Sequence, residues 1–173
     1  MPTRTISLAL GRKYAGASDS FHLLNSLAQA LSSTLDQGIA YDWSPLPEDL
    51  DPSYPSNIAT WISTTNDGPL TPANVRFNFR IEHWRPPAIQ SVSDFDQTWT
   101  SPASWPRFNL QLIRVAIGTN PTFAPGILKP GDYFAVRIRR RGNDILDTYP
   151  SAVNLSQSIE WTFQRRCQIL CCP

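Results

Sequence analysis

The run Asn74–Trp84 (NVRFNFRIEHW) leaves this chain little choice of local structure. Val75, Phe77, Phe79, Ile81 and His83 alternate without a break with Arg76, Asn78, Arg80, Glu82 and Trp84. A period of two puts the first set on one face of a strand and the second on the other. One face is apolar and the other charged or amphipathic. The sheet that contains this strand therefore has one side in a core and one side in water or against a partner.

The same design recurs between proline-rich loops. Thr3–Leu10, Gly38–Trp43 and Ile58–Ser63 read as strands. So does Tyr133–Arg139, with Phe134, Val136 and Ile138 set against Arg137 and Arg139. Ala152–Phe163 places Val153, Leu155, Ile159, Trp161 and Phe163 on one parity and reads as a long strand. In Arg107–Gly118 the apolar phase slips from Phe108, Leu110 and Leu112 to Ile113, Val115 and Ile117, the signature of a β-bulge. Asp144–Tyr149 is a further candidate strand. Lys13–Ser18, Ser44–Pro55 and Ala88–Pro106 read as loops, the last with room for one short strand, and Asn66–Pro69 and Lys129–Asp132 as turns. One segment has a different period. After Ser18-Asp19-Ser20, Phe21, Leu24, Leu27, Ala28, Leu31 and Leu35 fall at helical spacing before a stop at Gly38. The expectation is an all-β fold: a single antiparallel β-sandwich, a jelly roll of about eight strands, with one α-helix near residues 20–36.

A chain of 173 residues suits one domain, taken here as 1–173 with an extended tail at 165–173. Six Trp, eight Phe and five Tyr are too many for a disordered polymer. The net charge of +1 excludes a global field for nucleic acid or anionic lipid. Thirteen Arg against two Lys suits bidentate interface contacts, although a GC-rich genome gives the same bias. The apolar patch Ile6–Leu10 is too short for a signal-peptide core or a membrane span, so synthesis as a soluble chain in a cytosol is expected. All three cysteines, Cys167, Cys171 and Cys172, fall in the last seven residues, so the core does not depend on disulfides.

Catalytic chemistry is hard to find. His22 and His83 lack a metal-binding spacing, and His83 reads as a hydrogen-bonded histidine near a strand end. There is no G-x-S-x-G, no G-x-x-x-x-G-K and no G-x-G-x-x-G. Asp94 and Asp96, and Glu48, Asp49 and Asp51, are acid clusters that suit solvated loops better than a glycosidase pair or calcium site. No enzyme activity, cofactor or metal is expected. What remains is contact chemistry. Arg137, Arg139, Arg140 and Arg141 form the densest basic cluster, a solvated strand face and turn or a protein contact. The tail Arg165–Pro173 carries three thiols without a fourth zinc ligand and reads as a segment that packs on a neighbour. Trp43, Tyr54, Trp84, Trp99 and Trp105 read as exposed aromatics that stack sugars, anchor protein interfaces or cover the sandwich ends. Candidate interface residues are Trp99, Trp105, Arg137, Arg139, Arg141, Cys167, Cys171 and Cys172.

In length and in the order Thr3–Leu10, Phe21–Leu35, Asn74–Trp84, Arg107–Gly118, Tyr133–Arg139 and Ala152–Phe163, the chain resembles a viral coat-protein family. It is similar to the single jelly-roll capsid proteins of membrane-containing icosahedral double-stranded DNA viruses, in particular the smaller major coat protein of the Thermus phage type. That family has no short motif to carry residues across. The resemblance implies a bacteriophage virion component, made in host cytoplasm. It would self-associate, as a homodimer for instance, and pack with a second, larger coat protein over an internal viral membrane, without specific nucleic acid binding. A different class stays open: a non-catalytic ligand-binding sandwich, either carbohydrate-binding with Trp84, Trp99 and Trp105 as platform, or a spike or tail accessory module. Removal of Cys167–Pro173 is expected to weaken association in light scattering and to leave the thermal unfolding of the sandwich in place.

Overall fold

The computed structural model describes residues 3–8, 12–15, 28–51, 57–116 and 127–165. They form ten strands: β1 Thr3–Leu8, β2 Arg12–Ala15, β3 Ala28–Leu31, β4 Asp36–Pro45, β5 Asn57–Thr64, β6 Asn74–Arg85, β7 Ala88–Thr100, β8 Gln111–Ala116, β9 Tyr133–Arg141 and β10 Val153–Gln164. Two five-stranded antiparallel sheets result. One has the order β1-β10-β5-β8 with β3 also on β10, and the other β2-β4-β9-β6-β7. β10 is long enough to hold β1 along 159–164 and β3 along 153–156 on the same edge. Consecutive strands change sheet at every step except the β6–β7 hairpin. That wiring is consistent with a jelly roll.

Alternation builds the core as the periodicity requires. Val75, Phe77, Phe79, Ile81 and His83 of β6 are all buried, as are Phe134, Val136 and Ile138 of β9 and Val153, Leu155, Ile159, Trp161 and Phe163 of β10. The sheets meet ring to ring where Phe134 and Trp161 lie 4.0 Å apart between centroids. Tyr41 of β4 crosses the gap and donates its hydroxyl to the Ser156 carbonyl at 2.7 Å. Burial pushes that phenol well above its ordinary pKa.

Five expectations are corrected. Residues 28–35 are not helical: they form β3 and a turn into β4, while 18–27 lie outside the described residues. The helical spacing of Ala28, Leu31 and Leu35 lost to pairing with β10, because tertiary pairing overrides a weak local preference. Ala88–Pro106 is no loop through residue 100; it is the edge strand β7. The phase slip after Phe108 is not a bulge: 107–110 precede β8, and Phe108 takes a left-handed φ of 60° with its ring exposed. Asp144–Tyr149 is a turn and coil rather than a strand, and Lys13–Ala15 belongs to β2.

The inward parity of β9 does not stop at Ile138. Arg140 is its next inward position and is fully buried. Its Nε and Nη2 hold both oxygens of Asp147 at 2.9 and 2.7 Å. Nη2 also donates to the Tyr149 carbonyl at 2.6 Å, and Nη1 to the carbonyls of Ser151 and Leu31 at 2.6 and 3.4 Å. All five guanidinium N–H groups are thereby used, which offsets the large desolvation penalty. Asp147 in turn accepts the backbone N–H of Arg76 at 3.0 Å. One side chain thus ties β9, β3, β6 and the loop 142–152 together. Gly142 serves the same junction: a Cβ there would lie 2.6 Å from the Ser32 carbonyl oxygen, so only glycine lets this loop cross the β3–β4 turn.

The opposite end is closed by Leu46, Leu50 and Leu128 and by a second buried acid. Asp132 accepts a hydrogen bond from His83 Nε2 at 2.7 Å and from Arg85 Nε and Nη2 at 2.6 and 2.7 Å, and takes the Lys129 N–H at 2.8 Å. Burial works to raise its pKa, but the Arg85, Lys129 and His83 donors outweigh it and hold the carboxyl below its ordinary value. Gly131, at a φ of 79°, makes the turn that delivers it. His83 is therefore the hydrogen-bonded histidine its position suggested.

Asp147→Asn or Arg140→Met is expected to lower unfolding stability by about 3–5 kcal/mol in denaturant titrations, because the surviving partner stays buried and uncompensated. Arg80→Met, on the half-exposed pair with Glu82, is expected to change it by less than about 1 kcal/mol. Asp132 has a depressed folded-state pKa, so its contribution is complete above the unfolded carboxylate value of about 3.9 and is lost as pH falls through the folded value. Thermal melts should show a steep acid limb below about pH 4, flattened in Asp132→Asn.

Candidate interaction surfaces

The outer face of β9, β6 and β7 is a ladder of charges set by register. Arg80 lies beside Arg137 on one flank and Asp94 on the other; Asn78 lies likewise between Arg139 and Asp96. Asn78 Nδ2 donates to Asp94 and Asp96 at 2.6 and 2.9 Å. Arg76 and Arg141 reach the same Asp96 oxygen at 3.2 and 2.9 Å, and Arg80 approaches Asp94 at 3.7 Å. Burial tends to raise the Asp96 pKa, but Asn78, Arg141 and Arg76 bring it below the ordinary range. Burial tends to lower that of Arg141, and Asp96, Asp144 and Asp36 raise it overall.

This face brings together Arg137, Arg139 and Arg141 as their parity demanded, and it pairs Arg141 with Asp96 at 2.9 Å. Three of the sequence's candidate arginines share a surface with Arg76 and Arg80, and the acids that the sequence placed in a solvated loop, Asp94 and Asp96, lie on β7 opposite Arg80 and Asn78. Gly38 and Ala40 of β4 pair with Arg139 and Arg137, so β4 puts no bulky side chain beside them.

The aromatic platform does not assemble. Trp84, on the outer face, packs on Tyr133 at 5.1 Å. Trp99 lies at the far end of the same hairpin and packs against the core from its inner side. Trp105 was expected to be exposed and is 0% exposed. Its ring meets Trp99 at 5.1 Å and Tyr149 at 5.7 Å, and its indole N–H donates to the Asn109 carbonyl. Trp105 plugs one end of the sandwich rather than presenting a surface. Cys167, Cys171, Cys172 and Tyr54 lie outside the described residues, as does the side chain of Trp43.

The end that Trp105 plugs is built from the β3–β4 turn and the β5–β6, β7–β8 and β9–β10 loops, because the pairings Val153↔Leu31, Asp36↔Arg141, Val153↔Thr64 and Asn74↔Thr100 all fall there. The loops are tied to one another. The Gly68 N–H donates to the Trp105 carbonyl at 2.7 Å, Ser104 N–H to Pro69 at 2.8 Å and Thr148 N–H to Asn74 at 2.9 Å. These same loops carry Leu35, Leu70, Phe108, Leu110, Ile145 and Leu146, all exposed. Sequence reasoning missed them, since isolated apolar residues in loops have no periodicity to reveal a common end.

The outer face of the other sheet offers a different geometry. Trp61 of β5 stands 39% exposed, and its indole N–H points to Glu160 at 3.4 Å. Beside it a groove of about 180 Å³ is lined by Asn57, Ala59, Leu112, Arg114, Glu160 and Thr162. The sequence did carry a signal here: Ile58, Thr60 and Ile62 are the inward parity of β5, which turns Trp61 outward. Among the described residues no group of three or more His, Cys, Asp or Glu side chains is placed to hold a metal ion.

No family model matches the sequence, and no curated protein does. Solved structures with some similarity include a chain of infectious bursal disease virus Gx strain, with a TM-score of 0.45 and 10% identity over 94% of this chain and 32% of that one. This chain therefore spans about a third of that viral chain. The family 30 carbohydrate-binding module of a Clostridium thermocellum cellulosomal cellulase gives 0.44 and 10%, over 93% and 98% of the two chains. The receptor-binding domain of the bacteriophage PM2 spike protein gives 0.35 and 13%, over 70% and 76%. Likeness at this level assigns neither family nor activity to this chain.

Proposed function

We propose that this chain is a structural subunit of a viral shell, whose activity is the formation of interfaces with copies of itself and with a second, larger coat protein. The observation that carries the reading is the fixed display of apolar side chains at the Trp105 end. Ile145 is 91% exposed and Leu146 is exposed beside it. Both sit between two anchored acids. Asp147 is gripped by Arg140, and the Asp144 side chain accepts the Leu146 N–H at 2.9 Å while facing Arg141 and Arg76 at 3.8 and 4.0 Å. The loop is thus held in a shape that points its apolar residues away from the core.

Leu70, 86% exposed, and Phe108, Leu110 and Leu35 extend the same end. Each Leu or Ile side chain fully buried against a partner contributes about 1.5–3 kcal/mol. Several together give an interface the apolar centre that persistent contacts of over about 1,000 Å² have. The arginine face, interleaved with Asp94 and Asp96, suits the polar rim of such a contact better than nucleic acid. Support for the viral setting comes from the length and strand order of the sequence.

Light scattering across protein concentration tests the reading. The chain is expected to form a dimer or larger species that persists in high salt, since an apolar contact is little screened. The double substitution Ile145→Asp, Leu146→Asp is expected to leave a monomer whose melting temperature is essentially unchanged. A monomer at every concentration, or association that survives the double substitution, would overturn the assignment of the contact to this end.

A further inference from the structure

The groove beside Trp61 lies on the outer face of the β1-β10-β5-β8 sheet, the sheet that does not carry the arginine ladder. Register explains why it exists. Ala59 of β5 pairs with Glu160 of β10 on one side and with Arg114 of β8 on the other. Neighbouring strands run about 4.8 Å apart, so the backbones that carry this acid and base are roughly 10 Å apart. A methyl group cannot fill that gap, and among the described residues no ion pair closes it.

The walls differ in chemistry. Trp61 is two residues along β5 from Ala59, hence on the same face, and pairs with Leu112. Leu112 lines the groove, and Trp61 flanks it with its indole N–H 3.4 Å from Glu160. Asn57 and Thr162 pair with each other at the other side of Ala59 and supply an amide and a hydroxyl. Glu160 offers an acceptor and Arg114 donors.

We propose that this groove binds a single neutral pyranose ring, the terminal sugar of a glycan. Sugar rings have an apolar C–H face that lies on an aromatic ring, and hydroxyls that both donate and accept. An acceptor bank at Glu160 facing a donor bank at Arg114 matches such hydroxyls. Its opposite charges also disfavour ionic ligands, since an anion would meet Glu160 and a cation Arg114. A space of about 180 Å³ is smaller than the roughly 300 Å³ at the lower end of drug-sized pockets, which limits the ligand to one ring and the affinity to the millimolar range. The site does not rest on the shell reading, although repeated copies in a shell would convert weak contacts into avidity.

The test is a titration of the full chain with the neutral methyl glycosides of glucose, galactose, mannose, fucose and N-acetylglucosamine, followed by the Trp61 indole N–H resonance, which its loss in Trp61→Phe identifies. Sialic acid and glucosamine serve as charged comparators. At least one neutral glycoside is expected to give a saturable shift. Ala59→Leu, which fills the groove, and Glu160→Gln are each expected to weaken it about tenfold or more while thermal melting shows the fold intact. No saturable shift across the panel, saturation by the charged sugars alone, or a shift that survives Ala59→Leu would each overturn the proposal. None of these outcomes bears on the association measured by light scattering.

Discussion

A guanidinium with all five N–H groups engaged inside a β-sandwich organises one end of this molecule. Arg140 occupies a position where strand periodicity calls for an apolar residue, so its charge has to be met by the structure around it. Asp147 meets it, and three backbone carbonyls complete the set. Because those groups belong to β3 and to the β9–β10 loop, neither segment can move independently. The position of Tyr149 follows, with its hydroxyl on Thr64 at 2.8 Å, and then that of Trp105, whose ring packs on Tyr149. The same constraint leaves Ile145 and Leu146 facing solvent.

The two ends of the sandwich use a similar device to different effect. At each, a buried carboxylate gathers arginine and backbone donors and fixes a loop. Around Asp132 the fixed loop lays Leu128 inward beside Leu46 and Leu50, and that end is closed. Around Asp147 the loop projects its apolar residues outward. Asp94 and Asp96 tie Arg80, Arg76 and Arg141 together on the charged face between the ends, and the Trp61 groove interrupts the opposite sheet where Ala59 is too small to fill its row. An apolar end and a small amphipathic groove are separate surfaces, and each proposal stands on its own side chains.

Much of the core was legible from residue order. Val75 to His83, Phe134 to Ile138 and Val153 to Phe163 were readable because a half-buried strand repeats every two residues. β7 was hidden, because its outward Asp94, Asp96 and Thr98 look like loop residues until they are set against Arg80, Asn78 and Arg76. Arg140 was hidden among its neighbours: four basic residues read as one solvated cluster, although parity separates Arg140 from Arg137, Arg139 and Arg141. Trp99 and Trp105 were singled out as exposed aromatics, but which way they faced depended on loops whose course no local pattern describes.

By itself, then, the amino-acid order determined an all-β chain, the inward and outward faces of its long strands, and the absence of the common catalytic motifs. Those properties depend on neighbours two residues apart. The tertiary structure decided that 28–35 is a strand and turn, that Arg140 is a core residue, that Trp105 is a plug, and that six scattered apolar residues share one end. These depend on pairings between residues far apart in sequence, such as Val153 with Leu31 and Arg140 with Asp147. Local periodicity carries no information about which distant strand or acid will satisfy a given group, and only the closed hydrogen-bond and packing arrangement of the whole sandwich settles it.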